Sequence, residues 1–233
     1  MVGEAMSVAE DLGGSAPLSV DVVSDVVCPW CYVGKRWLEK AIAAAGIPLT
    51  VRWRPFQLDS TIPIGGKPRR DYLQGKFGSA ARIDEIHKSI TATGAAEGIA
   101  FAFDKIEVSP NTLDAHRLVR WAEAAGLQNE TVEALFQAYF IEGRDIGDHA
   151  VLADIAGSAG MDRATVAARL ASDDDRGAVR AEIESAQRIG VTGVPTFILA
   201  GRYGLVGAQP AEEIAKALRS IAAKNPVEEP LPA

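Results

Sequence analysis

Ser19-Val20-Asp21-Val22-Val23-Ser24-Asp25-Val26-Val27-Cys28-Pro29-Trp30-Cys31 is a valine-rich, roughly alternating segment that runs directly into a pair of cysteines. The alternation reads as a strand from Ser19 to Ser24. Beyond the cysteines, apolar positions at Trp37, Leu38, Ala41, Ile42 and Ala45 read as a helix that Gly46 and Pro48 stop. Leu49, Val51 and Trp53 then alternate with Thr50, Arg52 and Arg54, the pattern of a half-buried strand. The order is strand, helix, strand, with the cysteine pair at the mouth of the helix. Proline is well suited to a first helical turn because it has no N–H to leave unpaired.

That position carries chemistry. A helix N-terminus holds about half an elementary positive charge from its unpaired N–H groups, which favours an ionised sulfur at Cys28. Such a sulfur is both an attacker and a leaving group. Cys31, one turn further in and less exposed, is placed to resolve a mixed disulfide formed at Cys28. Three other readings compete. A structural cross-link over so short a loop gains only about 2 kcal/mol. Half a zinc site needs two more ligands, yet His87, His116 and His149 lie about thirty residues apart and form no His-x-x-x-His pattern. Chance is the third. Redox chemistry is the favoured reading, with no metal.

The 233 residues give room for one large domain or a small one carrying an insertion, and 48% hydrophobic residues promise a core. A net charge of −7 argues against non-specific nucleic-acid binding. No apolar run approaches the roughly 18 residues of a membrane span. Residues 1–17, with Glu4, Glu10, Asp11 and Gly13-Gly14, read as a flexible tail without the features of a secretory leader. Two cysteines in one motif, and none elsewhere, are not the usage of a disulfide-stapled secreted protein. The expectation is a cytoplasmic protein.

From Thr61 to Arg188 the chain is mainly helical. Short polar residues near Ser79, Asn111, Asn129, Asp148 and Asp162 mark helix starts. Val132, Leu135, Phe136, Tyr139 and Phe140 form one apolar face. Ile99–Phe103 is the only strand-like run in this stretch. Lys67, Arg69 and Arg70 read as a solvated basic cluster, and Arg52 and Arg54 as solvated charges flanking a packed Trp53. Asp173–Asp175 reads as the start of a helix to Ile189 rather than a cation site. Strands then follow at Thr196–Ala200 and Tyr203–Val206, and Pro210 opens a last helix bearing Ile214, Ala217, Leu218 and Ile221. Residues 225–233 read as a second tail. The fold class is α/β, one unit formed by residues 18–60 and 183–224 and split by a mainly helical insertion, residues 61–182.

Gly193-Val194-Pro195-Thr196 precedes the first of those late strands. Only about 5–6% of X-Pro bonds are cis, but thioredoxin-type folds place a cis proline opposite the cysteine pair, where its kinked backbone leaves an edge for substrate. Val194–Pro195 is therefore expected to be cis and to contact substrate. Asp25 invites a role as proton acceptor for the cysteines, though a capping or turn carboxylate is the favoured reading. Trp30 either guards the site and contacts substrate or is passively exposed. Pro29 supports the helix start.

The sequence resembles the DsbA-like thioredoxin superfamily, in particular its FrnE-like branch, at Asp25–Gly34, at Trp53-Arg54-Pro55-Phe56 and at Asn111–Arg117. Glu142–Ile146 and Gly193–Phe197 extend the likeness. The resemblance implies a thioredoxin fold interrupted by a helical domain, with Cys28 nucleophilic, Cys31 resolving and Pro195 the cis proline. It implies no tightly bound cofactor beyond a redox-active Cys28–Cys31 disulfide, and it admits glutathione as a co-substrate. The expected partners are a protein or small-molecule disulfide or thiol and a cellular thiol reductant or oxidant, with the chain a monomer or homodimer. Periplasmic relatives carry an export signal, and residues 1–17 do not read as one, so oxidative folding of secreted proteins is not the expectation. Glutathione-dependent isomerases and kappa-class transferases share the fold branch but typically have serine at the Cys28 position. The rival readings are such an enzyme, acting on an aromatic or polyketide-like substrate, and a non-catalytic peptide-binding or chaperone module.

Overall fold

Four strands form a sheet in the order β2 (Leu49–Pro55), β1 (Leu18–Ser24), β5 (Thr196–Leu199) and β6 (Tyr203–Val206). The structure, a computed structural model, describes residues 17–224. The expected tails, residues 1–16 and 225–233, lie outside the described residues. β1 leads into α1 (Pro29–Ala45), which Gly46 ends in a left-handed conformation, and the chain returns as β2 parallel to β1. β5 and β6 add antiparallel strands on the other side of β1, and α9 (Ala211–Lys224) packs against α1. Because side chains alternate along a strand, β1 serves two cores. Val20 and Val22 enter the main cluster with α1 and α9, while Val23 meets Phe56, Ala186 and Val191.

Between β2 and β5 come β3 (Lys67–Pro68), α2 (Arg69–Phe77), α3 (Ala80–Ala96), β4 (Val108–Ser109), α4 (Leu113–Ala124), α5 (Gln128–Phe140), α6 (His149–Ser158), α7 (Arg163–Leu170) and α8 (Arg176–Arg188). Ser79, Asp148 and Asp162 cap their helices as expected. Two other starts differ. Thr112, not Asn111, is the N-cap of α4, and the Asn111 carboxamide accepts from Leu113 N just inside it. α5 starts one residue before Asn129, at Gln128, whose carboxamide accepts from Trp53 N and donates to Trp53 O along β2.

Ile99–Phe103 is not a strand. The segment leaves α3 without regular structure and tightens into a short 3-10 turn at Phe103–Lys105. No strand among the described residues lies alongside it; Ile99 is buried and the Phe101 ring lies so close to Gly94 that a side chain there would collide with it. Its apolar residues are held by rings, not by a ladder. Tyr32 of α1 stacks on Phe136 at 4.8 Å, and Phe101 meets Phe140 edge-on at 5.4 Å. Two-residue pairing of β3 with β4, which the sequence did not reveal, anchors the start of α2.

A charged cluster ties α1 to α5. Lys35, 2% exposed, pairs with Glu39 and, at 2.9 Å, with Glu133, which also accepts from the Tyr32 hydroxyl at 2.9 Å. Burial alone would raise the Glu133 carboxyl, but Lys35, Gln137 and Tyr32 together hold it below its ordinary value of 4.5. A depressed folded-state value means that this stability is fully present above 4.5 and is lost as the pH falls through the lower value. Glu133→Gln is expected to cost about 1–3 kcal/mol at neutral pH, since Lys35 loses one of its two carboxylates. The cost should shrink on acidification, which urea midpoints at pH 7 and at pH 3.5 would measure.

Candidate functional site

Ser24 ends β1, and a turn in which Cys28 N donates to Asp25 O at 3.0 Å delivers the chain into α1. Cys28 is the N-cap residue, in extended conformation, with Pro29 at the first helical position. No side chain caps the helix and no acidic residue occupies its first turn, so the positive end of the helix is uncompensated beside Cys28. Cys28 Sγ lies 3.7 Å from the Val194 carbonyl oxygen, and the Val194–Pro195 peptide is cis. Pro195 packs onto α1: a Cβ on Gly34 would meet its Cγ at 3.0 Å, so glycine lets helix and β5 come this close.

The two thiols are unlinked and differ in surroundings. Cys28 is 5% exposed and Cys31 1%. Burial, reinforced by the neighbouring Cys28 sulfur, pushes the Cys31 thiol well above its ordinary range, against smaller opposing contacts from the Ser24 side chain and the Asp25 backbone. Cys28, in contrast, lines a cavity of about 460 Å³ together with Asp25, Val27, Pro29, Trp30 and Val194. α2 and α3 supply the opposing wall, including Tyr72, Phe77, His87 and Ile90. Trp30 lines it while 36% exposed.

Of the two roles expected for Asp25, it takes that of a turn residue: it opens the turn into α1 through its backbone carbonyl, and its side chain caps no helix. Its carboxylate, 1% exposed, accepts from Leu58 N at 2.8 Å through Oδ2. Oδ1 has no hydrogen bond and lies 3.4 Å from His116 Nε2, which donates instead to the Phe56 carbonyl at 2.8 Å. The turn that caps α1 uses the Asp25 backbone, which leaves the side chain free to hold the loop after β2.

Arg69 also departs from its expected role as a solvated charge. Starting α2 and tethered by its N–H to Glu107 O at 2.8 Å, it lines the cavity and donates from Nη1 to the Tyr139 hydroxyl at 2.8 Å. Burial pushes the Tyr139 phenol up to about 12 despite that guanidinium. Arg70, its neighbour, is exposed and does not line the cavity. Among the described residues no group of three or more His, Cys, Asp or Glu side chains gathers that could hold a metal ion, and no helix is long and apolar enough to cross a membrane.

A family model described as a DSBA-like thioredoxin domain matches residues 19–219. A probable DsbA oxidoreductase of Streptomyces coelicolor, known from its crystal structure, is 33% identical, with a TM-score of 0.82 over 93% of each chain. The uncharacterized protein YwbO of Bacillus subtilis is 29% identical over 85% of this chain and 94% of its own. The cytosolic disulfide reductase DsbM of Pseudomonas aeruginosa, solved with glutathione, is 21% identical; its TM-score of 0.62, over 89% of this chain and 98% of its own, is a likeness of fold.

Proposed function

The chain belongs to the DSBA-like thioredoxin family, and from that premise we propose that it is a thiol–disulfide oxidoreductase in which Cys28 attacks and Cys31 resolves. The Cys28 thiolate attacks one sulfur of a substrate disulfide; that S–S bond breaks, the first substrate thiolate leaves, and a mixed disulfide forms. Cys31 then gives up its proton, attacks the Cys28 sulfur and releases the second substrate thiol. Two electrons pass from the cysteine pair to the substrate, and a cellular dithiol, or two monothiols such as glutathione, restores the reduced pair. Run in reverse, the same steps oxidise a substrate dithiol, and the direction follows from the reduction potentials of the partners.

One observation carries this reading: Cys28 opens to a cavity at an uncompensated helix start, while Cys31 sits enclosed and protonated one turn behind it. Val194 and Pro195 hold the substrate beside the sulfur, Trp30 flanks it, and Pro29 and Asp25 support the turn. Residues 18–60 and 183–224 form the redox unit and 61–182 the insertion that closes the cavity. The motif set supports the FrnE-like branch, and the sparing use of cysteine supports a cytoplasmic setting. Trapping is the test. Cys31→Ser expressed in cells should retain partners in disulfide linkage to Cys28, and Cys28→Ser should retain none; equal capture by both would overturn the assignment.

The cavity itself favours a second reading, glutathione-dependent chemistry on a small molecule. That reading requires turnover indifferent to loss of Cys31.

A further inference from the structure

Twenty-two residues line the cavity beside Cys28, most of them apolar, and its volume of about 460 Å³ falls in the range of small-molecule sites. Two cations face it. Arg69 makes no ion pair among the described residues, and although Nη1 reaches Tyr139, its buried Nε has no hydrogen-bond partner. Lys76 likewise makes no ion pair among the described residues; its ammonium bonds the Tyr72 hydroxyl at 3.0 Å and lies 5.3 Å from the centre of that ring. Two acidic groups line the same space: Asp25 accepts from Leu58 N through Oδ2 and keeps an unpartnered Oδ1, and Asp59 accepts from the backbone and hydroxyl of Thr61, but neither pairs with Arg69 or Lys76 among the described residues. Arg69 is half-buried, and a buried N–H left idle is costly unless an acceptor arrives; its planar fork matches a carboxylate.

We infer that the cavity selects small disulfides that join an apolar body to an anionic group, with Arg69 binding the anion while the sulfur meets Cys28. The inference rests on the thiol–disulfide reading above and names the substrate class for that site. Arg69 is a binding residue and takes no part in sulfur exchange. Lys76 strengthens the field without supplying the fork.

Two aromatic disulfides test it, one bearing carboxylates, 5,5′-dithiobis(2-nitrobenzoate), and one neutral, 2,2′-dithiodipyridine. Reduced protein is mixed with each, and the release of the coloured thiol gives a single-turnover rate that needs no further reductant. Arg69→Gln should lower the ratio of the carboxylate rate to the neutral rate about 10- to 100-fold, the worth of one charge-assisted hydrogen-bonded contact. Arg69→Lys should recover part of that ratio, since the charge remains and the fork is lost. Arg70→Gln, one residue away on the exposed side, should leave the ratio alone. An unchanged ratio in Arg69→Gln, or an equal fall in Arg70→Gln, overturns the inference, and a common loss on both reagents counts as an unchanged ratio. Wild-type protein inert toward both disulfides would instead sink the thiol–disulfide reading itself.

Discussion

Cys28→Ser should reduce insulin disulfides no faster than the uncatalysed background, a loss of about three orders of magnitude or more, the scale on which enzymes lose rate when a nucleophile is removed. The size follows from position. Cys28 is the sulfur that meets the cavity and lies 3.7 Å from Val194 O. Cys31 is 1% exposed and held protonated by burial, so it cannot take over the attack. Cys31→Ser should retain the first half-reaction and stall at the mixed disulfide, so a single-turnover burst survives and steady-state turnover does not. Wild-type turnover in either variant would remove the corresponding role.

Arg117→Met is expected to cost about 3–5 kcal/mol of stability, the scale on which breaking one partner of a buried ion pair acts. Arg117 is fully buried in α4. Its guanidinium donates to Asp174 O at 2.6 Å, Arg169 O at 2.7 Å and Ser172 O at 2.9 Å, and to the Asp114 carboxylate at 2.9 Å. One side chain thus satisfies the carbonyls that α7 leaves open and the turn that leads into α8. Burial would raise the Asp114 carboxyl, but His149, Arg117 and Arg176 hold it below its usual range; without Arg117 that charge keeps only part of its compensation. For a chain of this size the loss corresponds to a fall in Tm of at least about 6 °C. Arg117→Lys should recover only a fraction, because a single ammonium cannot reach acceptors spread around a planar fork. A loss below about 1 kcal/mol in Arg117→Met would refute this account.

Reading β1, the cysteine pair and α1 from the sequence succeeded because each signal is local. Alternating valines, a proline fitted to the first turn, and Gly46 in its left-handed conformation each act within a few residues. The same holds for Asp148 and Asp162, whose carboxylates reach N–H groups two or three residues ahead. Ile99–Phe103 misled because its apolar spacing reports burial, and rings rather than a partner strand provide it. α2 left little trace since it buries no residue in the core; Tyr72, Leu73 and Phe77 face the cavity instead.

The sequence by itself determined the frame: two sulfurs at a helix start, a strand–helix–strand opening, a proline before a late strand, and a helical stretch between. Only the tertiary structure decided what the sulfur faces. Arg69, Tyr139 and His87 approach Cys28 across many tens of residues, through the packing of α2, α3 and α5 around a space. A cavity has no period and no motif, because it is defined by side chains that fail to meet. Charge follows the same rule: whether Arg69 is solvated or lines a cavity, and whether Asp25 caps a helix or holds a distant loop, depends on neighbours that chain folding brings together.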